Sequence, residues 1–536
     1  MPGRGFEPPR SVTSTATSTR RVCQFRHPGE GGRQYRLETA VVEWWRGFGP
    51  MATGHITGPR AGVPCREGVR VTGRRYNPRP RWVLCPAQMN VEPAMRLKVS
   101  KFGGTSVADA DIIRKVKAIV QTDPERRVIV PSAPGKRSRD DQKVTDLLYL
   151  CHEHARQGLA FDEVFKLVAR RYHDIAERLG IDPGLDGHLD AVRQEIARVA
   201  TAGAGPDYAA SRGEYLNGLI IAEFLGAEFF DATDLIHFDE RGRLDEKETY
   251  RVIGEKLGGV KLAVVPGFYG GLPDGSVKTF GRGGSDITGA VLARGVGASM
   301  YENWTDVSGL LMADPRIVDN PKTIQSLTYR ELRELAYMGA TVLHDEAIFP
   351  VRHAGIPVNI RNTNRSDDPG TMIVPGNGSE NHTGTITGIA GRKDFTVIAL
   401  EKAMMNSEVG FGRRVLSVLE DHGVSFEHLP SGIDTMSLVV SDSQINGKLD
   451  DVLEGLHVEA RPDSIEATPR MALIATVGRG MARIPGMASK LFGALSQAKV
   501  NIRMIDQGSS ELNIIVGVHA DDFETAVRAI YKAFIG

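Results

Sequence analysis

From residue 95 to residue 375, short β-branched runs ending in proline or glycine turns alternate with longer stretches of helical spacing. No other feature limits the fold as much. "RRVIVPSAPG" (126–135) and "VKLAVVPGFYG" (260–270) are strand-like, whereas 142–180 and 210–226 repeat apolar residues at helical intervals. Strand and helix in alternation predict an α/β domain on a largely parallel sheet, with ligands beyond the carboxyl ends of its strands.

Around "TMIVPGNGSENHTGT" (371–385) the texture changes to Gly, Asn, Ser and Thr, as in a linker. A second architecture follows. "FTVIAL", a helix "GFGRRVLSVLEDHG", strands "VSFEHLP" and "DTMSLVVS" and a helix over 446–456 form one unit. "MALIATVG", "IPGMASKLFGALSQAK", "VNIRMIDQ", "ELNIIVGVH" and "DDFETAVRAIYKAF" repeat that order, an internal duplication. The second unit runs out of chain on a helix and lacks a fourth strand, while "TITGIAG" (385–391) is surplus before the first, which can close with "LHVEARPDSI" (456–465). Strand 385–390 is therefore expected to cross over and complete the more distant unit, since an unpaired edge invites aggregation. The division expected is an N-terminal extension 1–94, a catalytic domain 95–375, a linker and crossover strand 376–391, and small units 392–466 and 467–536.

The extension differs in kind. Residues 1–94 hold fifteen Arg, six Glu and neither Lys nor Asp, a charge of +9 that leaves −9 on the remainder of a chain neutral overall. They lack sustained periodicity and do not read as a unit that folds alone. "RSVTSTATSTRR" suits a transit peptide, but a start codon assigned too early, with Met95 as first residue, fits the composition better. A chain of residues 95–536 is expected to match the kcat/KM of the full chain; a large loss in a folded protein would refute this. From Met95 onward the one cysteine is Cys151, so neither a disulfide framework nor a cysteine metal site is expected. No run of about 18 apolar residues occurs, and the expected location is cytoplasmic.

Chemistry concentrates in four turns: "KFGGTS" (101–106), "SRGE" (211–214), "FGRGGSD" (280–286) and "TDVSGLLMADPR" (305–316). Glycines let backbone N–H groups approach an oxyanion, a helix N-terminus adds a favourable dipole, and a lysine beside them suits polyphosphate. Each turn alone is ordinary; four in one α/β domain are not. Neither G-x-x-x-x-G-K-[ST] nor G-x-G-x-x-G occurs, so a Walker or standard dinucleotide site is not expected.

In that order, and followed by duplicated small units, "VSKFGGTSVAD", "SRGE", "GRGGSD", "TDVSG" with "DPR", and "VLH" closely resemble aspartate kinases of the amino acid kinase family. The resemblance covers 95–536. It implies an αβα sandwich with a largely parallel sheet, two ferredoxin-like ACT domains, and transfer of the ATP γ-phosphoryl group to the side-chain carboxylate of L-aspartate. Lys101 and Asp286 are the implied catalytic pair. Thr105, Ser132, Glu214, Arg282 and Ser285 are implied for the substrate, with Arg282 on its α-carboxylate and Glu214 on its ammonium. Gly103, Gly104, Gly283, Gly284, Thr305, Asp306, Asp314 and Arg316, with Lys101, are implied for ATP. Met405, Ser407, Gly410, Phe411, Gly412 and Glu427 are implied for an amino-acid effector, lysine or threonine. Mg²⁺ is expected with the nucleotide and no protein metal ligand is named; a homodimer through the ACT units is expected, and neither nucleic acid nor membrane. Two positions depart from the family: Pro131–Ser132 stands where many relatives have Ser-Ala, and Thr341 where many have lysine. Lys136, Arg137 and Arg139 are the candidates to replace that lysine. A catalytically weak amino-acid sensor and a kinase acting on glutamate are the alternative readings.

The residues fit the chemistry independently. A carboxylate of ordinary pKa is ionised at neutral pH and needs no general base, so the barrier is the approach of two anions, which cations and positioning lower.

Overall fold

The structure, a computed structural model, describes residues 96–281, 283–340, 345–376 and 385–536, all within one compact unit. The N-terminal extension, Arg282 and Thr341 lie outside the described residues.

Eight strands form the principal sheet: β1 (Lys98–Phe102), β2 (Arg126–Pro131), β3 (Glu228–Phe229), β4 (Ala263–Val264) and, after a hairpin of β5 (Tyr269–Gly271) and β6 (Val277–Thr279), β7 (Met300–Thr305), β8 (Ser326–Thr328), β9 (Val358–Asn362) and β10 (Thr371–Val374). Their order is β3-β4-β2-β1-β7-β9-β10-β8, parallel at every pairing except β9–β10. The strands at its centre are buried on both faces, as the apolar runs of the sequence require. One core includes Phe102, Ile129 and Trp304 with helices Val144–Arg156 and Asp162–Leu179; another includes Val99, Val128 and Tyr301 with helix Gly284–Gly295. Glu302 is buried in this sheet but answered by Arg126 Nε at 2.7 Å, Ser100 Oγ at 2.8 Å and Trp304 Nε1 at 3.0 Å. Those partners hold its carboxyl below the usual range although burial alone pushes it up.

The C-terminal region has one five-stranded sheet, β12-β11-β13-β15-β14, in which two strands are unexpectedly long. β11 (Gly388–Glu401) and β13 (Ser464–Val477) run antiparallel through the whole duplicated region, flanked by β12 (Thr435–Ser441), β14 (Ile502–Asp506) and β15 (Asn513–His519). Gly388–Arg392 pairs with Leu473–Val477, and Phe395–Glu401 pairs with β12. Each long strand changes unit at a residue of positive φ, Asp394 (70°) and Arg470 (58°), beside a shift of register. Ile386 and Ile389 are buried in the core formed by Ile474, Leu491, Val516 and Phe523. Gly391 passes so close to the last helix that a Cβ there would lie 2.6 Å from the Phe523 ring and 2.7 Å from the Leu473 carbonyl.

Two expected elements differ. "VSFEHLP" is not a strand: it contributes a bridge from His428 to Val439 and the bond of Glu427 N to Val439 O (2.8 Å). Residues 456–459 continue the helix Leu449–Glu459, and the strand expected over 456–465 starts only at Ser464, as the first part of β13. The duplication is visible in the turns preceding each unit's first helix: Met405–Ser407 then Gly410 (φ 85°) before Phe411–Asp421, and Met481–Arg483 then Gly486 (φ 87°) before Met487–Gln497.

Candidate active site

Because β2, β1 and β7 are parallel neighbours, their carboxyl ends deliver "PSAPG", "KFGGTS" and "TDVSG" to one edge. The β1 and β2 loops touch through backbone: Gly135 N donates to Gly104 O at 2.9 Å, and a Cβ on Gly135 would lie 2.7 Å from the Gly104 carbonyl carbon. Only glycine permits that approach.

Lys101, nearly buried on β1, has its Nζ 2.6 Å from Asp286 Oδ1 in the first turn of the helix Gly284–Gly295. The same carboxylate oxygen accepts from Asn303 Nδ2 at 2.8 Å, and Asn303 sits opposite Lys101 in the β1–β7 register. Asp286 is thereby fixed from two strands and fixes the ammonium in turn. Gly103 N donates to Trp304 O (2.9 Å), a Cβ on Gly103 would stand 3.5 Å from Lys101 Nζ, and Gly104 opens a short 3₁₀ turn with Thr105 exposed on it. Gly283, in the left-handed region (φ 71°), caps the helix that carries Ser285 and Asp286.

Glu214, on the helix Asp207–Leu225, is buried beside the end of β2, where Gly213 packs against Ala133. Burial pushes its carboxyl up to about 8, opposed by hydrogen bonding at Ala133 and by the charges of Arg212 and Lys101. Its Oε2 has no hydrogen-bond partner among the described residues. Its neighbour Arg212 is enclosed by the rings of Tyr208, Tyr215 and Tyr269, at 4.6, 4.6 and 4.9 Å. Asn217 Nδ2 donates to Ser132 O (2.7 Å), which holds the loop bearing Ser132.

Thr305 and Asp306 follow directly from β7, hydrogen-bonded to each other at 3.2 Å. Asp314 and Arg316 lie further along, paired at 2.6 Å on a cavity of about 290 Å³ that Ile389, Phe523 and Val527 also line. Arg137 turns towards Asp141, with Nε at 3.1 Å. In the first small unit Met405 and Phe411 are buried in the core, Gly410 caps the helix Phe411–Asp421, Ser407 Oγ donates to Asn406, and Glu427 accepts from the Tyr337 hydroxyl. Asn303 and Tyr337 were not singled out from sequence; only the β1–β7 register and the packing of the helix Tyr329–Tyr337 bring them in.

A lysine clamped by an aspartate at the carboxyl edge of a parallel sheet, among glycine turns, is an arrangement suited to phosphoryl transfer, and residues 96–362 match the amino acid kinase family. Residues 474–534 match the ACT domain. Aspartokinase 3 of Bacillus subtilis is 38% identical over 452 residues, covering 82% of this chain and 98% of its own. Lysine-sensitive aspartokinase 3 of Escherichia coli is 30% identical, covering 81% and 98%. The crystal structure of Clostridium acetobutylicum aspartate kinase aligns with a TM-score of 0.78 at 58% identity, covering 82% of this chain and all of that one. That of E. coli aspartokinase III with aspartate and ADP, in the R-state, gives 0.63 at 27%, with the same coverage. The chain belongs to the aspartokinase family, and its reaction is the phosphorylation of aspartate.

Proposed function

We propose that the transfer runs from ATP to the aspartate side chain, with Lys101 neutralising the transferring phosphoryl group. The observation that carries this is the 2.6 Å pair of Lys101 with Asp286 at the sheet edge, which holds the ammonium where charge develops. Asp286 and Asn303 are positioning groups for it. Gly103, Gly104, Gly283 and Gly284 supply backbone N–H groups to phosphate oxygens, Thr305 and Asp306 flank the nucleotide, and Asp314 and Arg316 close its far side. Glu214 receives the substrate ammonium; Arg282 takes the α-carboxylate, with Thr105, Ser132 and Ser285 around it. Magnesium enters as part of the nucleotide substrate, held by phosphate oxygens and water. ADP release coupled to L-aspartate, but not to L-glutamate or to no acceptor, tests the assignment.

Glu214 makes the aspartate KM pH-dependent. An ammonium binds the ionised carboxylate, and the free enzyme holds that group protonated below about 8. KM is therefore expected to fall as pH rises from about 6.5 to about 8, by no more than about tenfold per unit. Glu214→Gln should raise KM and flatten the profile; an unchanged slope would sink the assignment. The stability sign is opposite. A buried acid whose pKa is raised leaves the free enzyme progressively less stable as pH rises from the ordinary carboxylate value to about 8.

The first small unit is read as the effector site. The N–H groups at Gly410–Gly412 open a helix and can donate to an effector carboxylate, and Glu427 offers a counter-charge to an ammonium. Lysine is the effector favoured, since an E. coli aspartokinase III structure contains lysine with aspartate in the T-state and a relative there is lysine-sensitive. Pairing of two chains through these units is the assembly proposed. No helix among the described residues is long and apolar enough to cross a membrane.

A further inference from the structure

The helix Tyr329–Tyr337 is the piece of the catalytic domain that meets both small units. Its N-terminal end is tied to the second. Thr328 and Glu331 form a capping box, and the buried Glu331 carboxylate also accepts from Thr387 Oγ1 at 2.6 Å, just before β11, and from Arg479 N at 3.1 Å, just after β13. One position beyond Arg333, Glu334 Oε2 accepts from Asn513 Nδ2 on β15 at 2.7 Å. The C-terminal end reaches the first unit, where the Tyr337 hydroxyl donates to the Glu427 carboxylate. Tyr337 is 52% exposed, so packing holds this end less firmly than the other. Burial and the facing carboxylate push its phenol up to about 12, which keeps it a donor.

We propose that Tyr337 competes with the effector for Glu427. This rests on the reading of Gly410–Gly412 and Glu427 as the effector site, and adds what that site must release. An arriving ammonium carries a full charge and displaces a neutral phenol from the carboxylate, because charge-assisted hydrogen bonds are the stronger. The exchange frees the C-terminal end of the helix while Glu331 keeps the N-terminal end in place. The residues that follow, Gly339 and Ala340, line the same cavity as Asp314 and Arg316, so a shift at Tyr337 is passed to the loop proposed to hold nucleotide. The two-state element is the helix end, biased by Tyr337 in one direction and by the effector in the other.

The test is calorimetric titration of the full chain with L-lysine and L-threonine, singly and together, in wild type, Tyr337→Phe and Glu427→Gln, alongside kcat/KM without effector. Removing the competing hydroxyl should tighten effector binding about three- to tenfold and, because it also frees the helix end, lower effector-free kcat/KM part of the way towards the effector-bound value. Glu427→Gln should abolish binding. If Glu427→Gln loses binding but Tyr337→Phe binds no more tightly than wild type, the competition is overturned and the site stands. If Glu427→Gln binds normally, or neither amino acid binds wild type, the effector-site reading falls and the competition with it.

Discussion

Lys101→Met is expected to lower kcat by about 10²–10³, a loss of roughly 3–4 kcal/mol of transition-state stabilisation. The methionine keeps the length and the packing of a nearly buried side chain but removes the charge held against Asp286. Since that charge acts mainly on the developing phosphoryl transition state, the aspartate KM should move little. Lys101 and Asp286 work as one unit, so adding Asp286→Ala to Lys101→Met should cost far less than the two separate losses combined. Steady-state rates of the two single variants and the double variant decide it: strictly additive losses would uncouple Lys101 from Asp286, and a Lys101→Met enzyme within a few-fold of wild type would remove Lys101 from the mechanism.

The second large effect is on stability. Glu331 is completely buried, yet its carboxyl stays below the ordinary range: burial pushes it up, and hydrogen bonds from Thr387, from the backbone at Thr328 and Arg479 and from the Thr328 hydroxyl outweigh that. Arg479 Nε stands 3.7 Å away. Glu331→Ala removes the shared acceptor from donors of three separate segments and should cost about 3–5 kcal/mol. Glu331→Gln, which keeps one acceptor oxygen, should cost less. A depressed carboxyl contributes stability that is present above its unfolded pKa and is lost as pH falls through the folded one. The gap between wild type and Glu331→Ala should therefore narrow in acid. Denaturant unfolding at neutral and acidic pH measures both, and a neutral-pH difference under about 1 kcal/mol would refute the account.

How much of this could be read from the sequence depended on whether the signal was local. The strand–turn–helix alternation gave the parallel sheet, and "KFGGTS" marked Lys101 as a phosphate-facing candidate because strand ends leave their marks on adjacent residues, whereas Asp286 in "GRGGSD" was pointed to by the family resemblance. Asn303 leaves none. An asparagine within "MYENWT" says nothing until register sets it across from Lys101. "VSFEHLP" alternates like a strand, but Phe426 is 46% exposed and the segment makes a single bridge and a few scattered backbone bonds to β12, so period-two spacing that leaves Phe426 outside the core did not suffice. The continuity of β11 and β13 was hidden for a related reason. Non-glycine residues turn the corner at Asp394 and Arg470, and neither carries the glycine that announces such a bend.

Those two shared strands bear on what can be deleted. A polypeptide ending near residue 466 would keep the β12-facing half of β11 paired, yet strip Gly388–Arg392 of Leu473–Val477 and leave Ile386 and Ile389 without the core that covers them. The exposed backbone would be an adhesive edge directly beside the catalytic domain. The last seventy residues are consequently no detachable accessory: a truncated gene product should fail by clumping, and shedding of regulation has to proceed by point substitution.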